Sequence, residues 1–330
     1  DKDALEEAGL VKIDILGLRM LSAIAESAQT VAALTGQPLD LDGLRFDDPA
    51  IYAMVSAADT IGVFQVESRA QQQVLPRMQP RRFNDLIVSI SLIRPGPVQG
   101  NMVHPYLRRR LGEEAVSYPH PRLQPALAET LGVVLFQEQV VKVAHDLAGF
   151  TGGQGEGLRR ALGSKRAYEA LDRWHTAFLD GAGRSRVDQR LADAVFDTLR
   201  AFGGYSFPKS HAAAFAVLVY QSAWLKHYHP AAFYTALLNH QPMGFWSPAA
   251  IVNDAKRHRI RVLPVDVNAS AARCTVQAGA IRLGLNQVTG FGDVASERLV
   301  TARQSGEFRS LAEVGRRTQL PPRLLENLIL

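Results

Sequence analysis

The sequence holds few residues whose type and spacing could do chemistry. The first are in "LVKIDILGL", residues 10–18. An extended segment sends alternate side chains to opposite faces, so Val11, Ile13 and Ile15 share one face and Lys12 and Asp14 the other. A carboxylate on an otherwise apolar ribbon is costly unless a cation neutralises it or it holds a metal. Two readings stand: Lys12 pairs with Asp14, or Asp14 is a metal ligand.

The second group is "GGYSFPKSHAAAFA", residues 203–216, which sets a glycine pair, Lys209 and His211 at the start of a long apolar helix. A helix N-terminus offers free N–H groups and partial positive charge, so Lys209 and His211 are candidates for a phosphate cradle. The plainer alternative makes Ser210 the N-cap and leaves Lys209 to solvent. In "LRRALGSKR", residues 158–166, Arg159, Arg160, Lys165 and Arg166 bracket a helix-ending Gly163. Cations there complement the helix dipole, but guanidinium forks also match the oxygens of a ligand with several phosphates. The glycine turn of "VTGFGD", residues 288–293, resembles the hairpin of a helix-hairpin-helix module. There Gly290, Phe291 and Gly292 would turn backbone N–H groups toward a nucleic-acid phosphate; an ordinary αα turn is the alternative. His227 and His229 do not share a helix face and have no neighbouring carboxylate, which argues against zinc. Trp224, Tyr228 and Phe233 read as core and helix-end packing. Nucleophile elbow, P-loop and dinucleotide fingerprints are absent from the sequence, which counts against hydrolase, kinase and Rossmann chemistry.

Apolar periodicity predicts the elements that must place these residues. Helices are expected through "LRMLSAIAESAQTVAALTG" with a stop at Gly36, "DDPAIYAMVSAAD", "SRAQQQVLPRM", and "FNDLIVSISLIRPGP" with a stop at Pro95 and Pro97. "TIGVFQVES" reads as a short strand, and a second short strand precedes the helix of "VVLFQEQVVKVAHDLAGF". Further helices follow in "GEGLRRALGS", "RAYEALDRWHTAFLDGA", "DQRLADAVFDTLRAF", the long run "SHAAAFAVLVYQSAWLKHYH", "PAAFYTALLNHQP" and "SPAAIVNDAKRHRI". Composition changes near Val262. A β-hairpin around Ala278 and Gly279 and short helices with glycine turns are expected beyond it.

The 330 residues, 47% of them apolar, suit a globular protein with more than one domain. No apolar stretch reaches the length of a membrane span, and the single cysteine, Cys274, allows no internal disulfide. Both suit the cytoplasm. The net charge of +5 permits an anionic partner. The chain starts at Asp1 without Met and stops in the apolar "LPPRLLENLIL", which reads as a piece of a longer polypeptide.

Seven stretches in order, "GLVKIDILGL", "GVFQVESRA", "LIRPGP", "GVVLFQEQV", "LRRALGSKR", "YSFPKSHAAAFA" and "WLKHYHPAAF", resemble the bacterial C-family DNA polymerases, the DNA polymerase III α-subunit family. "HPAAFYTALLNHQPMGFWSPAAIVNDAKRH" and "PVDVNAS" resemble its error-prone, translesion branch. The resemblance implies a mainly α fold with minor β: a palm strand over 1–18, helical fingers over 19–261, and a small β-hairpin with an incomplete helix-hairpin-helix region over 262–330. It implies that Asp14 is a catalytic Mg2+ ligand and that Lys12, Arg159, Arg160, Tyr205, Lys209 and His211 bind the incoming nucleotide. Gly290, Phe291 and Gly292 would meet DNA. Primer-template DNA and dNTPs are the implied partners, with a sliding clamp and translesion accessory proteins engaged through regions outside this chain. The family's upstream Asp-x-Asp pair is not in this sequence, so the piece by itself is expected to be inactive. Lys209 in "YSFPKSH" is more typical of the replicative branch. A helical DNA-binding scaffold without catalysis, in which Lys12 and Asp14 form a structural ion pair, is the alternative.

Overall fold

The computed structural model describes residues 19–93, 99–163, 168–203 and 207–329. It is mainly helical with one small sheet, as the sequence predicts. The order is α1 (Arg19–Thr35), α2 (Pro49–Ser56), α3 (Arg69–Met78), α4 (Phe83–Leu92), α5 (Gln99–Leu111), α6 (Gln124–Leu127), α7 (Gln137–Ala148), α8 (Gly152–Leu162), α9 (Tyr168–Arg184), α10 (Gln189–Gly203), α11 (Lys209–Tyr228), α12 (Pro230–Asn239), α13 (Pro248–Arg257), β1 (Val262–Leu263), β2 (Thr275–Gln277), β3 (Ala280–Arg282), α14 (Asp293–Arg303), α15 (Leu311–Thr318) and α16 (Pro322–Asn327). Contacts divide the chain into two compact units. One is Asp42–His227; the other joins the residues up to Leu41 to Tyr228–Leu330.

The first unit has two apolar clusters. In one, α2 to α5 surround the middle of α11, with Tyr52, Leu75, Leu86, Ile90 and Tyr220 buried. The other packs α7, α8, α9 and α10 together through Val143, Leu147, Leu158, Phe178 and Phe196. Helix α10 shows how periodicity builds this layer: Ala192, Val195, Phe196, Leu199 and Phe202 form one buried stripe. Helix α9 crosses α7 closely enough that a Cβ on Gly181 would lie 2.1 Å from the carbonyl oxygen of Ala148.

In the second unit α12 packs on α1, α13 and the sheet. Asn239 joins these layers: its amide oxygen accepts from the Cys274 N–H at 2.8 Å, and its amide nitrogen donates to the Cys274 carbonyl and the Glu26 carboxylate. The predicted hairpin is β2–β3, turning at Ala278 (φ 48°) and Gly279 (φ 76°), the paired positive φ of a tight hairpin. Strand β1 adds to β3 in parallel, so the sheet has three strands rather than two.

Two expected strands are corrected, and one helix is added. "TIGVFQVES" is a curled loop, because Gly62 (φ 76°) and Gln65 (φ 61°) take left-handed backbone and the Thr60 hydroxyl donates to the Val66 carbonyl at 2.8 Å. The second expected strand, ahead of α7, is a single bridge between Phe136 and Phe207. Helix α5 is an addition to the expected elements, and it carries Pro105 in its interior, a residue that ordinarily disfavours a helix. Phe233 is buried as expected, and Tyr228, 45% exposed, is the last residue of α11.

The α9–α7 crossing gives a paired test. Gly181→Ala should lower the melting temperature, with overpacking costing about 1–3 kcal/mol. Gly183→Ala, whose Cβ would meet nothing within 4 Å, should raise it through helix propensity, by at most ~1 kcal/mol. Equal melting temperatures for the two variants would contradict this packing.

Candidate functional site

The site forms where the first turns of α7 and α11 meet. The Gln137 N–H donates to the Phe207 carbonyl at 3.0 Å, beside the Phe136–Phe207 bridge. This fixes α7 against the segment that leads into α11. Gln139, itself buried, holds the approach to α7. Its amide oxygen accepts the N–H groups of Leu135 (2.7 Å) and Phe136 (2.9 Å), and its amide nitrogen donates to the Ala126 carbonyl (3.1 Å) and Thr130 hydroxyl (2.8 Å). A buried amide with these groups satisfied is a stiff anchor.

Helix α11 starts at Lys209, so Ser210 lies inside the first turn and is not the N-cap. The cap comes from another helix. The Lys209 N–H donates to both Glu138 carboxylate oxygens, at 3.0 and 3.1 Å. An anion thus already sits at the helix start, where electrostatics favours one. The Lys209 ammonium pairs with the Glu129 carboxylate and lies 5.7 Å from the centre of the Phe136 ring. The exposed His211 ring packs between Phe207 (5.2 Å) and Phe215 (4.2 Å).

Helix α8 brings the arginines. Thr151 caps it: its hydroxyl accepts the Gln154 N–H while Gln154 accepts the Thr151 N–H. Arg159 forms a two-point pair with Glu156 (Nε and Nη2, both 2.7 Å), and its Nη1 donates to the Gln137 amide oxygen at 2.9 Å. Arg160 shares Glu156 at 3.1 Å and is otherwise solvent-facing, with 76% of its side chain exposed. Hydrogen bonds from Arg159, then from Arg160, hold the Glu156 carboxyl down at about 2. Gln137, Glu138, Val141, Lys142, Glu156 and Arg159 line an open pocket of about 380 Å³.

The structure therefore brings Arg159, Lys209 and His211 around the first turn of α7, with Arg160 at the rim. Lys12, Asp14 and Tyr205 lie outside the described residues. In the other unit, the turn of Gly290, Phe291 and Gly292 has the hairpin form. Gly290 is left-handed (φ 83°), and a Cβ on it would lie 2.9 Å from Leu324. Phe291 is buried among Leu285, Leu299, Phe308, Val314 and Leu320, so its ring anchors the turn and only backbone faces outward. Asn327 ties α16 to the turn through the Thr289 carbonyl at 2.7 Å.

Residue types alone did not single out Gln137, Glu129, Glu138 and Glu156. The one sequence signal is the i, i+3 and i, i+4 spacing from Glu156 to Arg159 and Arg160. Glu129 and Glu156 are engaged by the cations and Glu138 by the Lys209 N–H, so these three carboxylates do not form an open metal-ligand set.

Helical fingers carrying cations, followed by a sheet and a glycine-turn helical module, define a class, and two family models match it. Residues 20–186 match the bacterial DNA polymerase III alpha subunit finger domain, and 259–330 a helix-hairpin-helix motif. The chain belongs to the bacterial DNA polymerase III α-subunit finger family. It is 45% identical to an error-prone DNA polymerase of Methylococcus capsulatus, with 99% of the chain covering 34% of that protein. It is 46% identical to one of Bordetella bronchiseptica (99% and 32%) and 49% identical to one of Mycolicibacterium paratuberculosis (97% and 30%). The chain spans about a third of the length of these curated relatives. Among the described residues no helix is long and apolar enough to cross a membrane.

The Glu156 clamp is testable by carboxyl NMR. In the folded chain Glu156 should titrate near 2; in Arg159→Ala it should move up toward the ordinary value of about 4.3. Because the folded value is depressed, the pair stabilises the fold fully above the unfolded value and is lost as pH falls toward 2. An ordinary Glu156 titration in the unsubstituted chain would remove the clamp.

Proposed function

We propose that this chain is the nucleotide-binding fingers of a DNA-directed DNA polymerase, with residues 1–18 closing the palm, 19–261 the fingers and 262–330 a DNA-binding region. The parent would extend a primer with dNTPs in an error-prone, translesion mode, in the cytoplasm and with clamp and accessory proteins met elsewhere on the polypeptide. The supporting observation is the convergence of Arg159 and Lys209, from helices far apart in sequence, on adjacent residues Gln137 and Glu138 of α7.

On this reading each residue has a separate task. Arg159 presents a guanidinium fork, oriented by Gln137, to phosphate oxygens, and Arg160 adds charge at the rim. Lys209 supplies a point charge at the positive pole of α11. His211, braced by two rings, adds a donor at the same helix start, and Tyr205 packs near the nascent pair. Lys12 contacts the triphosphate, and Asp14 holds Mg2+, which supplies activation of the primer hydroxyl and neutralisation of the departing pyrophosphate. The hairpin of Gly290, Phe291 and Gly292 holds DNA by backbone N–H groups without reading bases.

The test is primer extension by the full-length parent. Asp14→Asn should abolish extension while primer-template binding persists. Arg159→Ala should raise KM for dNTP about tenfold or more, since a charge-assisted phosphate contact contributes ~1.5–3 kcal/mol, with DNA affinity little changed. An inactive wild type would favour a DNA-binding scaffold. Equal loss of DNA and nucleotide binding in Arg159→Ala would remove Arg159 from the triphosphate.

A further inference from the structure

A second basic site lies in the same unit, where α3, α4 and α5 join. Arg77, Arg81, Arg82 and Arg110 line a pocket of about 560 Å³ together with one acidic residue, Asp85. Asp85 is nearly fully buried and already committed. It accepts two hydrogen bonds from Arg110 (2.8 and 3.0 Å), one from the Arg81 N–H (2.9 Å) and a longer one from Arg82 (3.5 Å). Burial alone would raise its carboxyl, but these hydrogen bonds and the Arg110 and Arg82 charges hold it below the usual carboxylate range.

Arg110 is equally committed. It also donates to the carbonyls of Met78 and Gln79, at 3.1 Å each, and hydrogen-bonds the Tyr106 side chain. The Arg110–Asp85 pair is therefore the floor of the pocket. Arg77, Arg81 and Arg82 remain as exposed cations at its mouth. Among the described residues the Arg77 and Arg81 side chains have no hydrogen-bond or ion-pair partner.

Helix dipoles explain only part of this. Arg77 lies in the last turn of α3 and Arg110 in the last turn of α5, where cations are favoured. Arg81 and Arg82 lie at the start of α4, with Arg82 at its N-cap position, where the dipole disfavours cations. The one compensating carboxylate in that turn, Asp85, is consumed by the floor. A positive helix pole, two cations placed against it and a third facing them leave the pocket strongly positive, and an anion relieves that.

We infer that the Arg77–Arg81–Arg82 pocket binds the phosphodiester backbone of DNA, separately from the nucleotide site at α7, α8 and α11. Phosphate is the ligand chemistry that guanidinium groups match. Among the described residues no aromatic side chain lines the pocket to stack a base, so the contact is with backbone and independent of sequence. The inference rests on the polymerase reading only for the identity of the polyanion.

The test measures primer-template binding by the full-length parent across a salt series, without dNTP. Each neutralised phosphate contributes ~0.9 to the slope of log affinity against log salt. Arg77→Ala/Arg81→Ala should lower that slope by about one to two and weaken binding alike on unrelated sequences, leaving KM for dNTP unchanged. Both side chains are exposed, and an unshifted melting temperature confirms folding. An unchanged slope would overturn the inference. So would competition by inorganic phosphate for these arginines without any effect on DNA, which would mark a small-anion site. A wild type that binds DNA but cannot extend primers would defeat the polymerase reading and leave this slope still measurable.

Discussion

The contact on which the site depends is the carboxylate of Glu138 on the N–H of Lys209, between residues 71 apart in sequence. A helix start carries unsatisfied donors and a partial positive charge, and most helices satisfy them locally. Helix α11 draws its cap from the first turn of α7 instead. The neighbouring Gln137 N–H fixes Phe207 in the same register, so the two helix starts are locked as one unit. The Gln137 side chain then reaches Arg159, which sets where α8 must present its arginines.

The same economy governs charge. Arg159 and Arg160 share Glu156, Lys209 takes Glu129, and the α11 start takes Glu138. On the nucleotide reading, an entering phosphate must compete with a resident carboxylate at each cation. A monoanion exchanging one pairing for another gains little. A triphosphate that meets several cations at once repeats the exchange and adds geometry a single carboxylate lacks. Resident carboxylates thus favour highly charged ligands over the common small anions.

Much of this was legible in the sequence because it is local. The stripes of α1 and α10, the stop at Gly36 and the hairpin turn at Ala278 and Gly279 follow from spacing and backbone preference within a few residues. Arg159, Lys209 and His211 stood out by type and by their places at helix ends. Their partners did not, because Gln137 is 22 residues from Arg159 and Glu129 is 80 from Lys209. No periodicity links such pairs. Helix α5 was hidden for the opposite reason: the local signal of Pro105 is strong, and tertiary packing of Tyr106 and Leu107 overrides it.

Basic runs that look alike in sequence have diverged in their partners. Arg159 and Arg160 stand on a carboxylate from their own helix, whereas Arg77 and Arg81 stand over a carboxylate already spent on Arg110. On the polymerase reading, the difference would suit the lifetimes of two ligands. There a nucleotide would enter and leave in every cycle, and cations with a resident partner would avoid both the cost of an empty, unpaired site and an overly tight grip on product. A DNA strand would stay bound while the primer grows, and standing positive potential would hold it by charge alone, without favouring any one register. On that reading the unpaired arginines and the paired ones are complementary solutions, one for retention and one for exchange.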